Sequence, residues 1–456
     1  MNTREVVLTM LTEILEEDKQ SHLVISRSLL KYRDADKKDR AFIQRLCEGT
    51  IEHLMFLDYD IERFSKVKVR KMKPVIRNIL RMGMYQIKYM DSVPASAACN
   101  EAVKLAKMKK FQGLSGFVNG ILRNAARNKE ILFTLPENMP KEEQLSIRYS
   151  TPLWMVKDFL KRMDYEATEQ MLKTFEEPKK MTVRVNESRI SLEEFDQMLE
   201  KEGITVNKAA YVEEARYLSD FDSLFDIAAF KKGYFAVQDE SSMLTSIVAD
   251  PKKDDYVIDV CSAPGGKALH LAEILTRKQN GDKKAAGFID ARDKTDYKVS
   301  LINENISRLG YTNIKASVQD ALELDKDSIA KADVVIADLP CSGLGVIGRK
   351  PDIRQKMTKE IQQDIVSLQR QILDVVHQYV KPGGVLIFST CTINTEENEE
   401  NVSYITNKLG LLPESLDAYL PESLHSDTTK KGYLQLIPGM HQTDGFFISR
   451  FRKIKE

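Results

Sequence analysis

Two cysteines lie in short polar segments where a nucleophile could act. Cys341 lies in Asp338-Leu339-Pro340-Cys341-Ser342-Gly343, and Cys391 lies in Ser389-Thr390-Cys391-Thr392. Each segment directly follows an apolar run, residues 332–337 and 385–388, that is typical of a buried parallel strand. Ligands of an open α/β sheet bind just beyond the carboxyl ends of its strands. Both thiols are therefore expected to open into one cleft, where a thiolate is a candidate nucleophile.

A glycine-containing turn precedes these segments. A strand at 256–260 leads into Cys261-Ser262-Ala263-Pro264-Gly265-Gly266-Lys267 and then into a helix. Tandem glycines at a strand-to-helix turn let the backbone approach a ligand closely, and the helix N-terminus favours an anionic group of that ligand. The turn has neither the G-x-G-x-x-G spacing of dinucleotide-binding folds nor the pattern of a Walker loop. Hydride transfer and phosphoryl transfer are therefore disfavoured.

Acidic residues follow the next strands. Asp293 ends the second strand, with Asp290 as the alternative, Asp320 follows the third strand, and Asp338 follows the fourth. A carboxylate at the end of the second strand can accept hydrogen bonds from ribose hydroxyls, and Asp320 is placed to accept one from an adenine amino group. Any one of these acids could instead be a helix N-cap. Together they predict an adenosyl ligand with a charged tail, which is S-adenosylmethionine.

Strands and helices alternate from about residue 240 onward, which predicts an α/β domain with a doubly wound, Rossmann-like parallel sheet. The predicted strands are 256–260, 287–289, a third that leads into Val318-Gln319-Asp320, 334–337 and 385–388. The predicted helices start at 266, 298 and 361, and the last of them extends to 380. Residues 445–451 predict a late strand that can pair antiparallel.

The rest of the chain predicts two smaller domains. Apolar residues recur every three or four positions through residues 1–130, which indicates an all-helical domain. Residues 131–140 form a proline-containing connector. Residues 141–235 mix helix and strand, with strands near 182–186 and 233–238, and indicate a small α+β domain. The third predicted domain is 236–456.

Charge and cysteine usage narrow the class of protein. The 456 residues have zero net charge, but residues 1–130 hold 25 Lys and Arg against 16 Asp and Glu. This basic excess indicates either a polyanionic partner or a solvated helical surface.

The five cysteines are scattered without a Cys-x-x-Cys pair, so neither a metal site nor a disulfide framework is expected. Reduced thiols in a cytoplasmic protein fit best. No membrane span is expected, and a monomer is the default.

The first 130 residues resemble the NusB family of RNA-binding helical bundles. The resemblance rests on the segment 77–85 (RNILRMGMY), on Val93-Pro94 with 100–106 (NEAVKLA), and on 117–122 (FVNGIL). It implies that this domain binds RNA, and it favours that interpretation of the basic excess over a solvated surface.

The remainder resembles the RNA cytosine-C5 methyltransferases of the NOL1/NOP2/Sun class. The matching segments are 256–267, 338–343 and 389–392, with further agreement at 149–154, 238–244 and 444–447. Together with the NusB-like N-terminal domain, the domain arrangement is similar to that of the bacterial members of the Sun/Fmu type, which act on small-subunit rRNA. The resemblance implies S-adenosylmethionine-dependent methylation of 16S rRNA at C5 of cytosine 967.

The reaction catalysed by that class of enzymes explains why two cysteine thiols are needed. C5 of cytosine is too weakly nucleophilic to take a methyl group directly, and a thiolate that adds at C6 makes C5 enamine-like. By resemblance, Cys391 is the attacking nucleophile, Cys341 assists the elimination that releases the product, and Asp338 binds the N3/N4 edge of the base. Lys267 and Arg349 are candidates for lowering a thiol pKa. Lys350 stands where the family often has histidine, which puts only local RNA contacts in doubt.

Three alternatives remain open. A non-catalytic RNA-binding assembly factor would be expected to lose Cys391 or the Gly265-Gly266 turn, and both are present. A methyltransferase acting on an exocyclic amine needs no thiol, and the segment Leu339-Pro340-Cys341 departs from its Asp/Asn-Pro-Pro-aromatic motif. A tRNA cytosine-C5 methyltransferase differs from the leading hypothesis only in its substrate, and the front domain favours rRNA by analogy alone.

Overall fold

The structure is a computed structural model that describes residues 2–279 and 287–455. The chain divides into two compact units. The first comprises Met1–Glu177 and Ile347–Met357, and the second comprises Pro178–Val346 and Thr358–Glu456. Helices at 141–176 belong to the first unit and the strands of the region 181–237 belong to the second. The three-domain division 1–130, 141–235 and 236–456 stays a prediction.

The first unit is helical, which confirms the secondary structure predicted for residues 1–130. Its core is formed by apolar residues at helical spacing, such as Leu11, Leu46, Leu80 and Leu122, each fully buried. Pro74 begins the fifth helix, where its missing N–H costs nothing. The helices are α1 Thr3–Leu15, α2 Ser21–Lys31, α3 Lys37–Glu52, α4 Leu54–Phe64, α5 Pro74–Tyr89, α6 Ala95–Met108, α7 Ser115–Arg127, α8 Lys141–Arg148, α9 Leu153–Leu160 and α10 Tyr165–Glu176.

The segment 347–357 packs within this helical unit, although it follows Cys341 in sequence. Its carboxylate Asp352 accepts hydrogen bonds from the backbone N–H (3.1 Å) and the hydroxyl of Ser21. Arg354, which is buried, donates to the carbonyl of Glu52 at 3.0 Å. The glycine-containing basic segment 343–352 is therefore anchored at its far end by buried polar contacts.

A small antiparallel sheet opens the second unit, in the order β2-β3-β1-β4. Val183, Phe195, Leu218 and Phe235 form its core with a helix whose first turn is closed by a Ser191 capping box. The predicted strands near 182–186 and 233–238 are confirmed. The elements are β1 Met181–Val185, α11 Leu192–Lys201, β2 Thr205–Lys208, β3 Ala215–Ser219, α12 Ala228–Lys231 and β4 Phe235–Val237.

The main sheet of the second unit has the strand order β10-β12-β9-β8-β5-β6-β7, with β11 beside β12. Pairs among β5, β6, β7, β8 and β9 are parallel, and β12 joins β9 antiparallel, as predicted. The strands are β5 Tyr256–Asp259, β6 Phe288–Asp293, β7 Ile314–Val318, β8 Ala332–Asp338, β9 Val380–Thr390, β10 Leu412–Pro413, β11 Tyr433–Leu436 and β12 Phe446–Arg452. The remaining helices are α13 Glu240–Ala249, α14 Gly266–Gln279, α15 Asp296–Leu309, α16 Ile353–Lys356 (in the first unit), α17 Lys359–Val376, α18 Glu399–Asn407 and α19 Asp427–Lys430.

Both faces of this sheet are covered, which confirms the doubly wound arrangement. Alternate residues of β8 enter different cores: Ile336 packs in the cluster that includes Leu271 of α14, and Val335 packs in the cluster that includes Leu373 of α17. A strand buried on both faces typically consists of a continuous apolar run, and residues 334–337 in the middle of β8 have that composition.

Two predicted boundaries near residue 380 are wrong, the end of a helix and the start of the next strand. The helix expected at 361–380 ends at Val376, and Val380 already begins β9. β9 is therefore longer than the expected strand 385–388. Its first residues, through Gly384, are less apolar than the rest, so the apolar run reported only the buried part of the strand.

Within 2–279 and 287–455, no helix combines the length and apolar character that a bilayer crossing needs. The same residues contain no cluster of three or more His, Cys, Asp or Glu placed to hold a metal ion.

Candidate active site

The turn after β5 has the geometry that only glycine supports. Gly265 has φ +102°, and a Cβ there would lie 3.1 Å from Leu269 Cδ1. Its N–H donates to the carbonyl of Ser262 at 2.7 Å, and α14 begins at Gly266. Ser262 in turn donates its N–H to the carbonyl of Arg292 at 2.9 Å. The predicted segment 261–267 thus forms a tight loop between the ends of β5 and β6.

Asp293, and not Asp290, is directed at this loop. The Asp293 carboxylate accepts a hydrogen bond from the N–H of Ala263 at 2.9 Å and forms an ion pair with Lys298 at 3.0 Å. Asp290 is held by the Arg292 guanidinium at 2.6 Å and by the hydroxyl of Tyr256 at 3.1 Å. Asp290 is therefore committed to a separate ion pair, which favours Asp293 as the carboxylate beside the loop.

Asp320 lies at the next strand end. Its carboxylate accepts from Lys294 Nζ at 2.8 Å and from the N–H of Leu322 at 3.1 Å. The hydrogen bond from Lys294 lowers the pKa of Asp320, so it is an anion at neutral pH. Because Gln319 donates its N–H to the carbonyl of Asp293 at 3.0 Å, the predicted acids of β6 and β7 are neighbours.

Asp259, the last residue of β5, was missed by the sequence reasoning. It is 1% exposed, and among the described residues its carboxyl oxygens make no hydrogen bond of good geometry, although the Ser262 hydroxyl and the Cys261 N–H lie near enough to offset part of the effect of burial. Burial, and then the negative charge of Asp338, raise its pKa to about 7. Its position at the end of the first strand of the alternating pattern was the available signal. An orphaned carboxylate at this strand end fits a ligand that carries a positive charge.

Lys267 and Asp338 form an ion pair that joins the glycine turn to β8. Lys267 Nζ lies 2.6 Å from the Asp338 carboxylate, which also accepts from the Ser389 hydroxyl at 2.7 Å. Ser389 is the second-to-last residue of β9, the strand that leads to Cys391. Asp338 is therefore placed between the two predicted sites, and Lys267 is already engaged by a carboxylate.

The two thiols meet at the ends of β8 and β9. Cys341 Sγ and Cys391 Sγ are 2.8 Å apart, and both side chains are partly exposed and not disulfide-bonded. The N–H of Cys391 donates to Cys341 Sγ at 3.3 Å, and its carbonyl accepts from the N–H of Gly345 at 3.1 Å. A Cβ on Gly345 would overlap the backbone of Gly445, so this close approach requires glycine.

The surroundings of Cys341 favour its protonated form. The hydrogen bond to Cys391, followed by burial and the negative charges of Glu397 and Asp338, raises the pKa of Cys341 well above its ordinary value. Either sulfur can be the donor of the hydrogen bond between them. Two thiols this close titrate as a pair.

The other cysteines have structural surroundings. Cys47 and Cys99 are buried in the core of the helical unit. Cys261 packs against the apolar cluster below β5, and burial raises its pKa. A thiol held protonated in an apolar core is unreactive.

The parallel sheet, the glycine turn, the acids at successive strand ends and the paired thiols define an α/β protein of the Rossmann-like methyltransferase class. Comparison with sequence families agrees. The family described as 16S rRNA methyltransferase RsmB/F matches residues 246–452, the NusB family matches residues 1–127, and the ferredoxin-like domain of RsmF/B-like methyltransferases matches residues 151–221. The chain belongs to the family of the ribosomal RNA small subunit methyltransferases B. A probable member from Bacillus subtilis is 34% identical over 99% of this chain and 99% of its own length.

Solved structures share the fold. The crystal structure of PH0851 superposes with a TM-score of 0.81 at 23% identity and covers 99% of both chains. The structure of NSun6 from Pyrococcus horikoshii with SFG has a TM-score of 0.57 at 26% identity. It covers 71% of this chain and 100% of that one. SFG is an analogue of S-adenosylmethionine.

Proposed function

We propose that this protein is an S-adenosylmethionine-dependent 16S rRNA methyltransferase that modifies C5 of a cytosine, cytosine 967 by resemblance. The observation that carries the proposal is the thiol pair, 2.8 Å apart at the ends of two adjacent parallel strands. The names of the relatives support a small-subunit rRNA substrate.

The cofactor residues follow from the strand ends. Residues 261–267 would hold S-adenosylmethionine, with Asp293 at the ribose, Asp320 at the adenine and Asp338 near its reacting end. When bound, the cofactor supplies an electrophilic methyl group on a sulfonium. The orphaned carboxylate of Asp259 offers a counter-charge for such a cation.

The thiols divide the reaction between them. The Cys391 thiolate adds to C6 of the cytosine, and the electron pair displaced from the C5–C6 double bond makes C5 nucleophilic. C5 then takes the methyl group. Once Cys391 is bonded to C6, it no longer raises the pKa of Cys341 as a thiol partner, and Cys341 releases its proton to water. The Cys341 thiolate then takes the C5 proton, the electrons of that C–H bond re-form the double bond, and the bond from C6 to Cys391 breaks, which returns the Cys391 thiolate.

Asp338 orients the base in this scheme. Its carboxylate is held from one side by Lys267 and from the other by Ser389, at 2.6 and 2.7 Å. A fixed carboxylate can accept from the N4 amino group of cytosine. Because a paired base is inaccessible, the target cytosine must be flipped or already unpaired.

The helical unit contributes RNA affinity in this proposal. The basic excess of residues 1–130 and the NusB family match both favour contact with phosphates. Such contacts make binding fall steeply with salt concentration.

The test is transfer of labelled methyl groups to small-subunit rRNA and to tRNA by wild type, Cys391→Ala and Cys341→Ala, with denaturing gels for protein–RNA adducts. The expected result is no transfer by Cys391→Ala and accumulation of a covalent adduct by Cys341→Ala. Cys99→Ala, which removes a buried thiol of the helical unit, is the control and is expected to act like wild type.

Three outcomes contradict parts of the proposal. Methylation by Cys391→Ala would show that another group is the nucleophile. Methylation of tRNA in preference to rRNA would move the assignment to the tRNA enzymes. RNA binding by the wild type without any methyl transfer would favour a non-catalytic assembly factor.

A further inference from the structure

A buried polar network lies behind the two thiols. Its members come from β9, α17, the loop after Cys341, the residues between Cys391 and α18, and α18 itself, and each is at most 2% exposed. They are Ser342, Gln369, Thr390, Thr392, Glu397, Asn398 and Asn401. Buried polar side chains cost free energy unless they are hydrogen-bonded, and here each one has partners.

One half of the network holds the chain on both sides of Cys341. Glu397 accepts the N–H of Ser342 at 2.8 Å and also its hydroxyl, 2.5 Å away. Gln369 donates to the carbonyl of Pro340 at 2.9 Å and to Glu397 at 3.3 Å. The residues immediately before and after Cys341 are thus bound to buried side chains.

The other half holds Cys391 in the same way. Asn398 accepts from the Thr390 hydroxyl at 2.6 Å and donates to the carbonyl of Thr392 at 3.1 Å. One amide therefore binds the residues on both sides of Cys391. Because Glu397 and Asn398 are consecutive, a single dipeptide holds both thiol segments.

Direct contacts tie the halves together. The hydroxyls of Ser342 and Thr392 are 2.8 Å apart. Asn401 donates to Gln369 Oε1 at 2.8 Å and to the carbonyl of Glu397 at 3.0 Å. In a low-dielectric interior, such linked hydrogen bonds strengthen each other and resist deformation.

We propose that Glu397 and Asn398 are positioning residues that set the separation of the Cys341 and Cys391 thiols. Neither touches substrate or cofactor in this proposal; each acts through the backbone beside a thiol. The catalytic value of that separation rests on the proposed function, while the geometric role does not.

The donors and acceptors of the side chain at position 397 predict which substitution there is tolerated. A glutamine at 397 keeps one acceptor for the Ser342 N–H, and its amide N–H can donate to the Ser342 hydroxyl if that hydroxyl turns toward Thr392. Glu397→Gln should therefore preserve the geometry. Glu397→Ala and Asn398→Ala remove the hydrogen bonds that hold the thiol segments and leave their buried partners unpaired.

The experiment measures thiol separation in the protein alone. Diamide accepts the two electrons and two protons released when Cys341 and Cys391 join, and the rate of this disulfide formation is followed by mass spectrometry. Wild type, Glu397→Ala, Glu397→Gln, Asn398→Ala and Ser342→Ala are compared for this rate and for kcat and KM. The control is Glu396→Gln, the neighbouring carboxylate, which pairs with Lys359 at 3.0 Å.

The expected result is slower disulfide formation in both alanine variants, with kcat lowered about 10- to 100-fold and KM for RNA little changed. Glu396→Gln should match wild type in the disulfide rate, and Glu397→Gln, which keeps the geometry but removes a charge that raises the pKa of Cys341, should form the disulfide at least as fast as wild type. If the alanine variants do not fold, Ser342→Ala, which removes only the hydroxyl link, must still slow disulfide formation. An unchanged disulfide rate in the folded variants overturns the proposal.

The two proposals fail in different ways. If alanine at position 397 or 398 slows disulfide formation but the wild type methylates neither rRNA nor tRNA, the proposed function is refuted and the positioning role stands. A wild type that methylates rRNA while the variants keep the same disulfide rate refutes the positioning role alone.

Discussion

Asp259 is a carboxyl group whose ionisation should weaken the fold. It is fully buried at the end of β5, its oxygens make no hydrogen bond of good geometry among the described residues, and its pKa is raised to about 7 even though Ser262 and the Cys261 N–H act to lower it. Burial is the main cause, because a carboxylate loses its hydration there, and the charge of Asp338 adds to it. Asp259→Asn replaces it with a neutral side chain of the same shape.

The sign and size of the effect follow from linkage. An unfolded aspartate titrates near pH ~4, so between about pH 4 and pH 7 the native state binds the extra proton and the free energy of unfolding falls as pH rises. Three pKa units correspond to a loss of at most about 4 kcal/mol, complete above the folded pKa. The asparagine variant lacks this loss. It should equal wild type near pH 4 and be more stable than wild type at pH 8.

The assay is the thermal midpoint of wild type and Asp259→Asn from pH 5 to pH 8, analysed as the difference between them. A gain of about 4 kcal/mol would correspond to roughly 10 °C in a unit of this size, and relaxation around the site reduces it. Asp254→Asn, at an exposed carboxylate of the same region, controls for the change of net charge. An Asp259→Asn variant less stable than wild type at pH 8, or a difference independent of pH, would refute the reasoning.

Two further substitutions test ion pairs. Lys88→Met removes the partner of Asp60 that lies 2.7 Å away, with both side chains fully buried. The buried carboxylate then keeps Arg63, at the longer distance of 3.5 Å, so the variant should cost about 3 kcal/mol in urea unfolding. Adding Asp60→Leu should recover most of the loss, and a neutral single variant would contradict this. Lys267→Met removes the 2.6 Å charge-assisted hydrogen bond to Asp338, which is worth about 1.5–3 kcal/mol, so kcat/KM for methyl transfer should fall about 10- to 100-fold. RNA binding, measured by filter retention, should be unchanged and serves as the control. Wild-type activity in this variant would show that the ion pair has no role in the reaction.

The sequence allowed the strand ends to be predicted but not the side-chain pairs formed there. Alternation of strand and helix places Asp293, Asp320 and Asp338 at one edge of the sheet, and the structure has them at or just after the ends of β6, β7 and β8. The contact between Lys267 and Asp338 spans 71 residues, and no periodicity reports it. Which of two nearby acids faces the turn likewise depends on a competing guanidinium, not on the pattern of strands.

The segment after Cys341 shows the same limit. Glycines and basic residues at 343–352 predict a loop, and they contain no signal that Asp352 will bind Ser21 in a helical unit more than 300 positions earlier in the chain. Asp352 and Arg354 resemble surface residues in sequence, yet both are buried. Burial of charged residues depends on partners supplied by the tertiary fold.

The separation of the thiols matches the chemistry proposed for them. C5 and C6 are adjacent, covalently bonded ring atoms, so a thiol that adds at C6 and a group that assists loss of the C5 proton must stand side by side. Parallel pairing of β8 and β9 brings their ends together, and the network at Glu397 and Asn398 binds the residues flanking Cys341 and Cys391, whose sulfurs lie 2.8 Å apart. A lone thiol at either strand end would serve only one of the two atoms. The fifty-residue spacing of Cys341 and Cys391, one crossover between adjacent strands, is therefore what the two-atom chemistry requires.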